Sequence, residues 1–373
     1  MNASFNFICL NPRKKKRATI SRMLSSGGSI RWMHLCPISF RSWPETTSEA
    51  KTALAMSKER KRSKLPNWLH LQLLKLQYNG ARRYFSDRND AVAVCWNGLN
   101  GTRRVFMQGA KHAGARRLFF ELAPFPGRCT IDPSGVNYAN SLPRTIEPYL
   151  SWKAGSPSDD WKQIRESVRQ RQPIMAPAPN GTLPPLTDPF LFVPLQTPGD
   201  SQLRLFGGSF STVESFIAAL AEAVKHLPPE WHLRVKEHPT SPVSFADKIR
   251  SAAPNRIYID NTDTFSQVAA SRGVVTVNSS VGLEAMLFDK PVVACGQCFW
   301  AVDGVAQTAQ TASELADVFR SVDTLKYDRE AREAFLSYLD KCYYPKRDQS
   351  DNFTLIEQRL NGKDRLGFWG TSE

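Results

Sequence analysis

Long apolar runs are missing from this chain of 373 residues. No stretch of about 18 apolar residues occurs, so a membrane-spanning helix is not expected. The opening residues carry charge but no apolar core segment, which argues against a secretory leader. Paired cysteines are missing as well. The seven thiols (Cys9, Cys36, Cys95, Cys129, Cys295, Cys298 and Cys342) are scattered and odd in number, which fits reduced cysteines and a cytoplasmic setting rather than a disulfide framework. Cys295-Gly296-Gln297-Cys298 has CxxC spacing, yet no second CxxC or histidine pair accompanies it, so buried or loop thiols are expected and no metal site. Acidic residues are scarce at one end only. Residues 1–84 hold 17 Lys/Arg against three Asp/Glu, whereas residues 85–373 hold 32 of each. The net charge of +14 thus belongs to the N-terminal part. A nucleic-acid binder would carry its charge on the folded body, so no nucleic-acid partner is expected.

What is present is enough for two domains of ordinary size. Residues 1–64 contain Arg13-Lys14-Lys15-Lys16-Arg17 and Lys58-Glu59-Arg60-Lys61-Arg62-Ser63-Lys64 but no periodicity. They read as a basic, disordered extension drawn to an anionic membrane surface. Residues 65–172 read as an N-terminal α/β domain on the acceptor side. It begins with a helix over 65–84 whose broad apolar face suits core packing or, flanked by Lys75, Arg82 and Arg83, a membrane interface. Strands are expected at Ala91–Trp96 and Arg117–Leu122, a short strand end at Thr130–Asp132, and a polar helix over Asp159–Arg171. The proline density of residues 173–189 marks a linker. Residues 190–373 then alternate strands with helical patterns of 10–15 residues, as a parallel Rossmann-like sheet requires. Ligands bind at the carboxyl ends of such strands.

Three strand ends carry the candidate chemistry. Val274–Val277 runs into Asn278-Ser279-Ser280-Val281-Gly282 and then a helix bearing Glu284. A helix start exposes unpaired N–H groups and the positive end of a dipole, and so collects phosphates. Ser279 and Ser280 can donate hydroxyls there or simply cap the helix. Glu284 can favour the dipole or accept hydrogen bonds from ribose. Leu233–Val235 ends in Lys236-Glu237-His238-Pro239, where the proline fixes a turn and His238 can meet a phosphate. Phe190–Leu195 runs into Gln196-Thr197-Pro198-Gly199-Asp200, a loop able to present an amide and a carboxylate to a sugar, or to be ordinary turn chemistry. Glu121 and Asp132 follow strands of the first domain and are candidate acids or bases, with Asn137, Asn140 and Arg144 beyond them.

The elements strand-Gln196-x-x-x-Asp200, Val235-Lys236-x-His238-Pro239 and Asn278-Ser279-Ser280-x-Gly282-x-Glu284-Ala285, followed by Lys290-Pro291-Val292, resemble the bacterial capsule polysaccharide biosynthesis proteins. That family includes retaining β-Kdo transferases. Phe120-Glu121 and Thr130-Ile131-Asp132-x-x-Gly135-Val136-Asn137 resemble it too. The paired His-Pro and Ser-Ser elements are similar to those of sialyltransferases that use CMP-sugars. The resemblance spans about residues 90–305. It implies a GT-B-like α/β fold: two Rossmann-type domains with parallel sheets facing an interdomain cleft. The sequence departs from the family in a short N-terminal domain, since residues 1–64 offer no opening strand and glycine-rich loop. The resemblance also implies a metal-independent glycosyltransferase, peripheral on the inner membrane, that moves an acidic sugar (Kdo from CMP-Kdo) to a lipid-linked or polysaccharide acceptor. His238, Ser279 and Ser280 would hold the nucleotide and its phosphate, with Lys236, Asn278, Gly282 and Glu284 in the same donor site. Gln196 and the candidate catalytic acids Asp200, Glu121 and Asp132 would lie near the sugar. The alternatives are a transferase using another nucleotide sugar and a non-catalytic capsule assembly or export factor.

Overall fold

The computed structural model describes residues 5–10, 14–34, 38–56, 66–88, 90–155, 160–173, 182–347 and 352–362. The chain divides into two compact units. The first comprises residues 1–123, 127–142 and 341–373; the second comprises 124–126 and 143–340.

The first unit is built on a five-stranded sheet of order β2-β1-β3-β4-β5. Its strands are β1 (Phe5–Leu10), β2 (Gly28–Met33), β3 (Ala91–Trp96), β4 (Arg116–Leu122) and β5 (Cys129–Asp132). All pairings are parallel except β4 with β5. The alternating residues Phe5, Phe7 and Cys9 of β1 and Val92, Val94 and Trp96 of β3 share one buried face with Ile20, Met23, Ile356 and Leu360 of two covering helices, Lys14–Leu24 and Asn352–Leu360. Helices Thr46–Ala55, Asn67–Ser86 and Gly101–His112 form a second cluster around Ala50, Leu74, Tyr78 and Val105. The last two approach closely because Gly109 has no side chain. A Cβ there would stand 2.8 Å from the Tyr78 carbonyl oxygen.

Two expectations are corrected. Residues 1–64 are not a disordered extension: over the described residues they supply β1, β2 and two helices. The opening strand thought to be missing is Phe5-Asn6-Phe7-Ile8-Cys9-Leu10, buried at all but one position, and the N-terminal domain is not short. Nor does the second unit begin at residue 190. Residues 143–173 join it from the N-terminal side, with Tyr149 packed edge-on against Phe335 and Tyr338. The helix expected over Asp159–Arg171 is reduced to a 3-10 turn (Asp160–Gln163) and a single helical turn (Ile164–Ser167). Residues 174–181 of the proposed linker lie outside the described residues.

The second unit holds a six-stranded, wholly parallel sheet of order β11-β10-β9-β6-β7-β8. Its strands are β6 (Phe190–Pro194), β7 (His232–Lys236), β8 (Ile257–Ile259), β9 (Gly273–Thr276), β10 (Val292–Ala294) and β11 (Gln307–Thr308). Counted from β6, this is the 3-2-1-4-5-6 order of a Rossmann sheet. Leu191, Val193, Leu233, Val235, Val275 and Val277 pack on Phe216, Ile217 and Leu220 of helix Val213–Ala223. Thr212 caps that helix, exchanging reciprocal bonds with Ser215. The opposite sheet face carries His232, Arg234 and Lys236 in a row, all buried. Arg234 pairs with buried Asp260 at 2.8 Å and lies over the Phe190 ring. Burial, aided by Arg234, lowers the His232 pKa to about 4, so the ring stays neutral beside the guanidinium.

The fold yields one direct test. Phe7 is fully buried in the first core, so Phe7→Ala is expected to cost about 3–5 kcal/mol in denaturant unfolding. A disordered extension would leave the transition where it was.

Candidate functional site

The strand order of the second sheet reverses between β6 and β9, and at such a point the loops leaving the two strands part and open a crevice. Gln196 and Asn278 each stand two residues beyond those strand ends. Both are buried, and they face each other. Gln196 Nε2 donates to Asn278 Oδ1 at 2.9 Å, and the Asn278 backbone N–H donates back to Gln196 Oε1 at 3.4 Å. Asn278 Nδ2 donates to the carbonyls of Gln202 and Gln297 at 3.0 and 3.3 Å. Three loops, those after β6, β9 and β10, are thus tied by one side chain. Gly296 lets the last of them in, since a Cβ there would lie 2.8 Å from Val277 Cγ1 and 2.9 Å from the Phe206 carbonyl oxygen. The two flanking thiols, Cys295 and Cys298, are buried, and burial pushes both well above the ordinary range. The CxxC spacing therefore serves packing. Among the described residues, no group of three or more His, Cys, Asp and Glu could hold a metal ion.

From this clamp the chain enters helix Ser280–Met286. Ser279 caps it, its hydroxyl accepting from the Val281 N–H at 3.3 Å. Gly282 is explained by packing: a Cβ would stand 2.5 Å from Trp300 Cη2. Glu284 is half-buried, and burial raises its pKa from 4.5 to about 7, partly opposed by the charge of Arg171.

His238 lies two residues past β7. Its Nδ1 accepts the Thr240 backbone N–H at 3.1 Å, with the Thr240 hydroxyl 3.0 Å away. An amide can only donate, so the neutral ring carries its hydrogen on Nε2. Glu237, not singled out in the sequence, braces this turn. Its carboxylate accepts from the Ser244 hydroxyl at 2.8 Å, the Phe245 N–H at 2.5 Å and Asn261 Nδ2 at 3.3 Å. Its place directly before His238 was the available signal. In the sheet, β7 and β9 flank β6. The strand ends that lead to His238 and Ser279 are therefore about two strand spacings apart, ~10 Å.

Other candidates are committed elsewhere. Lys236 Nζ bonds the carbonyls of Asn261 (2.9 Å) and Thr262, fixing the turn after β8. Asp200 caps helix Ser201–Phe206 by accepting from the Gln202 N–H at 2.8 Å. Glu121 and Asp132 belong to the first unit. Glu121 accepts from Trp96 Nε1, Asn97 Nδ2 and the Leu122 N–H at 2.8–3.0 Å, joining the ends of β3 and β4. Asp132 is fully buried and saturated: the Ser134, Gly135 and Ser141 amides and the Ser141 and Tyr343 hydroxyls all donate to it. A carboxylate so placed organises its loop, and the expectation of an open catalytic acid is corrected.

Residues 178–340 match the family described as capsule polysaccharide biosynthesis protein. The family resemblance read from the motifs is borne out over that stretch. The chain is 29% identical over 277 residues to Protein FixF of Sinorhizobium fredii, covering 74% of this chain and 65% of FixF. It is 24% identical over 186 residues to capsule polysaccharide modification protein LipB of Neisseria meningitidis serogroup A, covering 44% of this chain and 43% of LipB. The chain thus spans about two thirds of one relative and under half of the other. Among solved structures, Thermosulfurimonas dismutans KpsC, beta Kdo 2,7 transferase, aligns with a TM-score of 0.48 at 12% identity, over 90% of this chain and 99% of that one. The KpsC beta Kdo 2,4 transferase aligns with a TM-score of 0.47 at 17% identity, over 90% of each.

Two measurements probe the site. Asn278→Ala strips one partner from three loops and should lower stability by about 1–3 kcal/mol; an unchanged unfolding midpoint would remove the clamp. For Glu284, the folded protein holds the proton more tightly than the unfolded chain does. Stability is therefore complete at low pH and is lost as pH rises from 4.5 to about 7. Glu284→Gln should flatten that loss and stabilise the protein by ~1–3 kcal/mol at alkaline pH, read by thermal melts across the range.

Proposed function

We propose that this chain is a glycosyltransferase of capsular polysaccharide biosynthesis that takes an acidic sugar, Kdo, from CMP-Kdo to a lipid-linked or polysaccharide acceptor, at an anionic membrane surface. The observation that carries the reading is the donor-side constellation at the reversal of strand order, lying within the stretch that matches the capsule family. Gln196 and Asn278 fix the loops. The helix start at Ser279 and Ser280 offers a positive dipole end and hydroxyls to a phosphate. His238 offers a hydrogen on Nε2 to a second phosphate oxygen. Glu284, with its pKa near neutrality, accepts from or donates to a ribose hydroxyl. A charged leaving group can be gripped in this way by dipoles and neutral donors alone, which is why a metal-independent transfer is the form proposed.

A second reading has its own support. Asp132 is saturated, Asp200 is a helix cap and Glu121 joins two strand ends, so each of the three expected acids serves structure. A capsule assembly or export factor that keeps the fold and binds saccharide would look like this, and so would a transferase for another nucleotide sugar. Among the described residues no helix is long and apolar enough to cross a membrane, so the proposed location rests on surface contact.

Thermal-shift titration separates the readings. CMP at 100 times its Kd should stabilise the protein by ~2.7 kcal/mol, with UDP and GDP weaker. His238→Ala should abolish the shift. Ser279→Ala should abolish it beyond the ~1 kcal/mol that losing a cap costs. Stabilisation by saccharide with none by CMP would support the assembly factor instead.

A further inference from the structure

The segment before residue 86 keeps bulky apolar side chains in water. Phe40 is 86% exposed, Trp68 65%, Ile38 62% and Leu73 39%. Two lie on the loop before helix Thr46–Ala55 and two on the first half of helix Asn67–Ser86. The loop and helix are held together: the Ser39 N–H donates to the Leu76 carbonyl at 3.3 Å, and the Thr46 hydroxyl donates to Asn79 Oδ1 at 2.7 Å. Arg82 pairs with Glu45 at 2.7 Å and lies over the Trp43 ring. This anchored loop holds the Phe40 ring out in water. Trp68 and Leu73 stand ~140° apart around the helix, and exposed large apolar groups on a loop and a helix bonded to each other mark a surface that something covers.

Charge identifies the cover. Arg41 stands beside Phe40, over the Trp43 ring. Lys75 follows Trp68 by two helical turns, on the same side. Residues 1–84 carry 17 cations against three anions. Aromatic and aliphatic tips rimmed by cations suit the boundary between headgroups and acyl chains of an anionic bilayer. We infer that Ile38, Phe40, Trp68 and Leu73 insert into such a bilayer while Arg41 and Lys75 pair with its headgroups, seating the first unit on the membrane. This deepens the proposed function, on which it rests for the lipid-linked acceptor, by naming the face that meets the lipid.

The test is co-flotation of the full chain with vesicles of phosphatidylcholine alone or with roughly a third phosphatidylglycerol. Binding is expected only to the anionic vesicles and should weaken in high salt. The triple variant Ile38→Ser, Phe40→Ser, Trp68→Ser should lose on the order of tenfold in partitioning. Arg41→Ala with Lys75→Ala should reduce binding and its salt dependence. Melting temperatures establish that each variant is folded, and the CMP shift is read on the same samples. A missing CMP shift with intact flotation would fail the donor reading but not this one. Equal binding by wild type and triple variant would overturn it. So would a wild-type oligomer that the triple variant converts to monomer without change in flotation, because the face would then meet a second copy.

Discussion

The paired side-chain amides of Gln196 and Asn278 hold the second unit's functional end together. Reversal of strand order forces the loops after β6 and β9 apart, and a gap between diverging loops is useful only if its walls are fixed. The Gln196 amide donates to Asn278 Oδ1 and accepts the Asn278 backbone N–H on its own oxygen, which leaves Asn278 Nδ2 for two backbone carbonyls. A carboxylate in either place would lack the donor, and an aliphatic residue would strand the carbonyls it displaced. Everything proposed for the donor site, from the Ser279 cap to the direction of the helix dipole, is set by where this pair places the turn.

Most of the second unit was legible because a parallel sheet buried on both faces leaves a plain record. Short β-branched runs such as Val274–Thr276 alternate with helical periods, and the Rossmann order follows from their number. β11, two residues long, left no such record. The first unit was harder to read. β1 is a short run, apolar at all positions but Asn6, just before the basic cluster Arg13–Arg17, and charge masked it. Its helical cover comes partly from Asn352–Leu360, over three hundred residues later in the chain. No local pattern announces that Ile356 completes a core begun by Phe5. The contiguous domain boundaries failed for the same reason: the chain enters the second unit early, at residue 143, and leaves it before its end.

The site was legible as a location and less so as a division of labour. Strand ends point to where ligands go, but whether a polar residue there faces the ligand or its own backbone depends on neighbours the sequence does not list. Lys236 and Asp132 carry the residue types a reaction would want, yet Lys236 is held by the turn after β8 and Asp132 by its own loop. Gly282 sits in the turn expected to meet a phosphate, yet its lack of a side chain is required by the Trp300 ring. His238 keeps its expected position, and the structure adds what the sequence could not: a tautomer, fixed by the Thr240 amide.

Placing described basic residues such as Lys14, Lys15 and Lys16 on a folded domain changes what their charge means. A disordered tail carries like charges at little cost, because it can spread them. A folded surface cannot. Helix Lys14–Leu24 even opens on three lysines, where its dipole favours anions, and Lys16 lies over the Trp96 ring at 4.5 Å. In the second unit, Glu284 is held where burial favours its protonated form. Each arrangement opposes folding, and an anion or a polyhydroxyl partner would relieve each: headgroups or an acidic acceptor for the cations, a ribose hydroxyl for the carboxyl. Local rules broken in this way are expected at functional surfaces, where stability is given up for binding. The two units thus carry the same signature at opposite ends of the proposed reaction, acceptor and donor.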